Sequence, residues 1–119
     1  MIETLLANRL ETVAANVYPD VAPMSYQTPC VVYQRIDTET INDLDGGSDQ
    51  AFVTFQISIS SPRILEAKIL ARNVRNSLRT WIDDDVEAVS WINEHSTVDN
   101  STDVALHRVL LFFRFFCAE

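Results

Sequence analysis

Residues 51–60 alternate without a break. Val53, Phe55, Ile57 and Ile59 take every second position, with Thr54, Gln56, Ser58 and Ser60 between them. A period of two belongs to a strand with one face buried and the other wet. Only Ser61-Pro62-Arg63 intervenes before the period changes. Ile64, Ala67, Ala71, Val74, Leu78 and Trp81 then recur at steps of three and four, a single stripe along an α-helix. Ser61 offers a hydroxyl cap and Pro62 suits a first helical turn. A strand that runs into a helix with no slack commits the chain to a layered α and β architecture.

The same periods place the other elements. Leu6, Leu10, Val13 and Val17, widened by Ile2 and Leu5, predict a helix over residues 2–17, with Glu3 near its positive end. Tyr18-Pro19 should end it, because the residue before proline is pushed out of helical geometry. Residues 20–29 read as an extended connector, and residues 30–36, β-branched and aromatic, as a first strand. Residues 37–50 are polar and acidic and carry both glycines, Gly46 and Gly47. They are too long for a simple hairpin turn and are expected to form a mobile excursion or a functional arm, with Ile41 and Leu44 available as anchors.

Asp83-Asp84-Asp85 marks a turn. Residues 86–95 read as a weaker strand, residues 96–102 as a loop, and residues 106–117 as a long last strand. In that strand both faces are apolar, the second interrupted by Arg108 and Arg114, so it should be central in its sheet and covered on both sides. Any part left uncovered would need another subunit. The expected fold is α+β: a four-stranded, largely antiparallel sheet of two hairpins, helices on one face, in the order α-β-β-α-β-β.

At 119 residues, with 47% hydrophobic and 22% charged residues, the chain suits one globular domain over residues 1–119. With Glu3 and Arg9 so near Met1, no secretion signal is expected, and no apolar run nears the ~20 residues that span a bilayer. Cys30 and Cys117 are expected as buried free thiols. A formal net charge of -8 argues against gripping a phosphate backbone. Charge is nevertheless segregated. Arg63, Lys68, Arg72, Arg75 and Arg79 crowd the central helix, the last four on one face, whereas acids fill residues 37–49 and 83–87. Such a split suits a subunit that meets copies of itself.

No catalytic constellation accompanies these elements. His95 and His107 lie in different elements, and His107, on the aliphatic side of the last strand, is expected to be a hydrogen-bonded core residue. No serine sits in a nucleophile elbow, and Gly46-Gly47 lacks the lysine of a phosphate loop. Asp83, Asp84, Asp85 and Glu87 read as a solvated turn rather than a calcium site. Trp81 and Trp91 read as core or interface anchors. No enzyme, cofactor or metal site is expected.

The sequence of elements resembles the tail completion (tail terminator) proteins of long-tailed bacteriophages. The resemblance rests on the N-terminal helix, the entry Pro29-Cys30-Val31-Val32-Tyr33, the long acidic excursion, the alternating strand, the helix behind it and the last strand. It implies a structural virion protein at the tail-neck junction, assembled in the host cytoplasm. Such proteins form a homo-oligomeric ring, usually a hexamer. The ring caps the tail tube, stops its polymerisation and presents a surface for head-tail joining. The implied partners are the tail-tube protein and a head-completion or neck protein. Genomic DNA would pass the lumen without sequence-specific binding, helped by an acidic lining. Under this reading Lys68, Arg72, Arg75 and Arg79 are interface or lumen-edge cations. Asp37, Glu39, Asp43, Asp45 and Asp49 would reach a neighbouring subunit or the tube. The alternatives are another neck component, such as a head-closure or connector protein, and a small ferredoxin-like ligand-binding module.

Overall fold

The computed structural model describes residues 1–43, 46–81, 85–101 and 103–118. The alternating segment lies in the middle strand of the sheet, and the rest of the chain is arranged around it. In order the elements are α1 (Ile2–Glu11), β1 (Val17–Pro19), β2 (Cys30–Asp43), β3 (Gly46–Ser61), α2 (Ile64–Arg79), β4 (Val86–Asp99) and β5 (Leu106–Ala118). The sheet runs β1-β2-β3-β5-β4. β1 is parallel to β2, and every other pairing is antiparallel.

The alternation decides the layers. Val53, Phe55, Ile57 and Ile59 of β3 and Val109, Leu111, Phe113 and Phe115 of β5 point to one side, where all are buried. Both helices cover that side. α1 contributes Ile2, Leu6 and Leu10, and α2 contributes Ala67, Ala71, Val74 and Leu78, with Trp81 just beyond it. Phe115 ties them together, meeting Phe55 edge-on at 5.8 Å and Trp81 at 5.9 Å. Between β3 and α2, the Ser61 hydroxyl accepts the Arg63 N–H (3.1 Å) and donates to the Glu66 carboxylate (2.7 Å). Arg63, in extended geometry, takes the capping position, so Ser61 acts from two residues further back than a simple cap would.

Four expectations need correction. α1 stops at Glu11, and Val17–Pro19 forms a strand instead: the Val31 N–H bonds the Asn16 carbonyl (2.8 Å), and β1 lies parallel to β2. The sheet therefore has five strands and is mixed. The acidic stretch is not a separate loop but the far half of a long hairpin, β2 continuing to Asp43 and β3 starting at Gly46. Two register shifts, between Arg35 and Asp37 and between Thr40 and Asn42, carry the pairing past its polar residues. β4 likewise continues through residues 96–99, because β5 offers a full-length partner. β5 is central, as expected, but its second face has no helix over it: Leu110, Phe112, Arg114 and Phe116 are half-buried.

Smaller departures follow from these. Ile64, counted in the buried stripe, is half exposed because it starts α2 at the rim. His107 is only half-buried rather than a core residue. Leu44, Asp45, Asp83 and Asp84 lie outside the described residues. Long strands also set the molecule's shape. The sixteen residues of β3 at ~3.3 Å each span ~50 Å, close to the 56 Å long axis against 25 and 24 Å for the other two.

One ion pair fastens α1 to the sheet. Arg35 grips both oxygens of Glu3, at 2.6 and 2.8 Å. Burial alone would raise the Glu3 carboxyl, but the Arg35 hydrogen bonds, a backbone hydrogen bond and the Arg35 charge outweigh it and hold the group below its ordinary 4.5. A depressed carboxylate contributes stability above its unfolded pKa and loses it as pH falls through the folded one. Glu3→Gln should thus cost ~1 kcal/mol at neutral pH, since the pair is partly exposed. In urea melts the gap from the parent chain should narrow as pH falls below the ordinary 4.5 and close once the folded carboxyl is protonated.

Candidate assembly surface

No catalytic geometry is found among the described residues, and no group of three or more His, Cys, Asp or Glu could hold a metal ion. His95 contacts the Asn93 amide (3.2 Å) and the edge of Phe112, at 5.8 Å between ring centres. No helix is long and apolar enough, among the described residues, to cross a membrane. Both thiols are buried. Cys30 pairs with Ser60 and Cys117 with Ala51, nine residues apart on β3. That is ~30 Å, far beyond the reach of a disulfide. Burial pushes the Cys30 thiol up, against the pull of Arg108 and a Ser60 hydrogen bond. A thiol-reactive dye should therefore label neither cysteine in the folded chain and both in urea.

What the surface offers is charge and uncovered apolar area. The spacing of the cations puts Lys68, Arg72, Arg75 and Arg79 on the side of α2 that overhangs β4. Arg75 bonds the Glu94 carboxylate (3.3 Å), and its guanidinium lies 4.7 Å from the centre of the Trp91 ring, with Arg79 at 5.6 Å. Trp91 is thus an outer anchor, 39% exposed, whereas Trp81 belongs to the core. Lys68 and Arg72 are exposed and form no ion pair among the described residues. The four do not act alike: two are tied within the chain and two face outward.

The acidic set divides as well. Asp37 and Glu39 are exposed on β2, at the opposite side of the sheet from β4. Glu39 reaches across β3 to Arg114 (2.7 Å), and that guanidinium covers the Phe52 ring at 4.2 Å. Asp43 and Asp49 belong to the strands of the projecting hairpin, beyond the end of β5, and Asp45 falls outside the described residues.

The face without helices carries Phe52 and Phe116, their rings tilted against each other at 4.9 Å between centres, with Phe112 and Leu110 further along β5. Its two arginines are both answered by acids from the flanking strands, Arg114 by Glu39 and Arg108 by Asp99 (3.0 Å). Hydrogen bonds from Ser101, then the Arg108 charge, hold the Asp99 carboxyl below its ordinary value. This face is apolar along β5, polar along β3 at Thr54, Gln56 and Ser58, and not basic. On the helix side, exposed Ile64, Leu65 and Ile69 of α2 meet Pro29 and Leu70 along a groove of about 710 Å³. The sequence hid this groove, because Leu65 and Ile69 fall off the regular stripe and read as incidental.

Residues 3–118 match the family model described as tail completion protein gp17. The chain belongs to that family. It is a structural protein of the phage tail, located in the virion, and not an enzyme. None of the curated protein sequences matches it. Among solved structures, a chain in the virion of a native gene transfer agent particle has a similar fold. The TM-score is 0.66 at 21% identity, over 97% of this chain and 85% of that one.

Proposed function

We propose that this tail completion protein is the tail terminator. Copies of the chain close into a ring, a hexamer, on the last layer of the tail-tube protein. The ring stops tube growth and offers its far side to a head-completion or neck protein. The observation that carries this reading is the match of essentially the whole chain to the tail completion family.

The surface supports it. A ring needs a heterologous contact that closes, so one side of the subunit must complement the other. Lys68 and Arg72 lie on the β4 side, and Asp37 and Glu39 on the β2 side. The projecting hairpin, with Asp43, Asp45 and Asp49, reaches the neighbouring copy or the tube. With its arginines paired, the helix-free face has no excess positive charge to hold the genomic DNA that passes through the ring. Light scattering on the purified chain tests the assembly: a mass of about six copies is expected for a closed ring. A mass of one or two copies at every concentration contradicts it.

A further inference from the structure

We propose that neighbouring copies join edge to edge, β4 of one pairing antiparallel with β2 of the next. The contact would centre on Ile92 of one copy and Ile36 of the other. This rests on the ring reading above, and it names the contact that closes the ring.

Two edges of the sheet have no strand along them where they matter. β4 is the last strand on one side and is exposed over most of its length. On the other side β1 is short and pairs only with Val31, Val32 and Tyr33, so among the described residues no further strand lies beside β2 at Ile36 and onward to Glu39. β2 and β4 run in opposite directions, because β2, β3, β5 and β4 alternate. A copy added head to tail therefore presents the antiparallel partner each edge requires.

Height and residue count also agree. β3 pairs with β2 on one side and β5 on the other, which puts Glu39 level with Ala88, both beside the Phe52–Phe116 pair. Val31 is level with Ser96 by the same route, through Ile59 and Val109. Bulges on an edge normally discourage pairing, because the two strands then differ in length. Here each edge strand has one extra residue over the same stretch. Residues 31–39 and residues 88–96 each exceed residues 52–59 of β3 by one. Two equally bulged strands can pair without losing register. The extra residues are Ile36 and Ile92, within one residue of the same height, 47% and 52% exposed. About an axis parallel to the strands, rotation keeps every residue at its own height and brings these two positions onto adjacent rungs of the new ladder.

The test is an Ile36→Cys/Ile92→Cys chain treated with a short bis-maleimide, with the mass taken by light scattering before treatment. The native cysteines are buried and do not compete. A denaturing gel should show a ladder from dimer to the full ring, while each single variant gives no ladder. An assembled ring that yields no ladder overturns this contact and leaves the ring reading intact. A monomer without a ladder at every concentration overturns both. Ile92→Asp gives a second measure that does not depend on the crosslinker. The side chain is half exposed, so the thermal melt should stay within a few degrees of the parent. The assembly should fall to monomer. An Ile92→Asp chain that keeps its full mass also overturns the contact.

Discussion

Lys68→Glu combined with Arg72→Glu is expected to dissociate the ring while leaving the subunit folded. Both side chains are exposed and form no ion pair among the described residues, so reversing them should change subunit stability by no more than ~0.5 kcal/mol. Against an acidic neighbour the same change replaces two attractions by two repulsions. Like charges facing each other across an interface cost several kcal/mol, enough to move an association constant by orders of magnitude. Sedimentation velocity at low salt should show the subunit alone, with an unchanged thermal melt. An intact ring would return α2's cations to an ordinary solvated face. Arg75→Glu is the informative companion. It breaks the Glu94 pair and the Trp91 contact inside its own chain, so its first effect should be on the melt.

Phe55→Ala should unfold most of what holds the sheet to its helices. Phe55 is fully buried on the central strand, edge-on to Phe115 at 5.8 Å and 6.5 Å from the Tyr33 ring. Removing a buried aromatic ring costs ~3–5 kcal/mol, the lost transfer energy plus the cavity left behind. Domains of this size hold only ~5–15 kcal/mol in total. The melting temperature should drop by ~10–20 °C. Phe112→Ala is the control, being half-buried on the face without helices. In the isolated subunit it should cost about 1 kcal/mol or less. Equal losses at Phe55 and Phe112 would mean that something covers both faces.

The parts of this fold that were legible in the sequence are those where one side chain period runs unopposed. Val53 to Ile59 and Ala67 to Leu78 are buried as the periods require, and so are Ile2, Leu6 and Leu10. Whatever depends on a distant partner was not legible. Val13 and Val17 continue the α1 stripe, yet residue 17 enters a strand because β2 offers it a parallel edge. Residues 37–43 look like a loop by composition, and they are strand because β3 lies beside them with bulges absorbing the mismatch. Residues 96–99 follow β5 in the same way. Charge on the cationic face could be read by counting along α2, but its division into tied and outward members could not. Glu94 and Trp91, which tie Arg75, come from a different element, β4. Ile36 and Ile92 carry no periodic signal at all. Each is the extra residue of a bulge, and only the pairing registers show that they share a height.

Tail length in the parent phage, measured by negative-stain electron microscopy after deleting this chain, is the most direct test of the terminator reading. Tails of uncontrolled length, or tails of normal length that never join heads, are expected, with rescue by the chain supplied in trans. Normal tails joined to heads in its absence would contradict it.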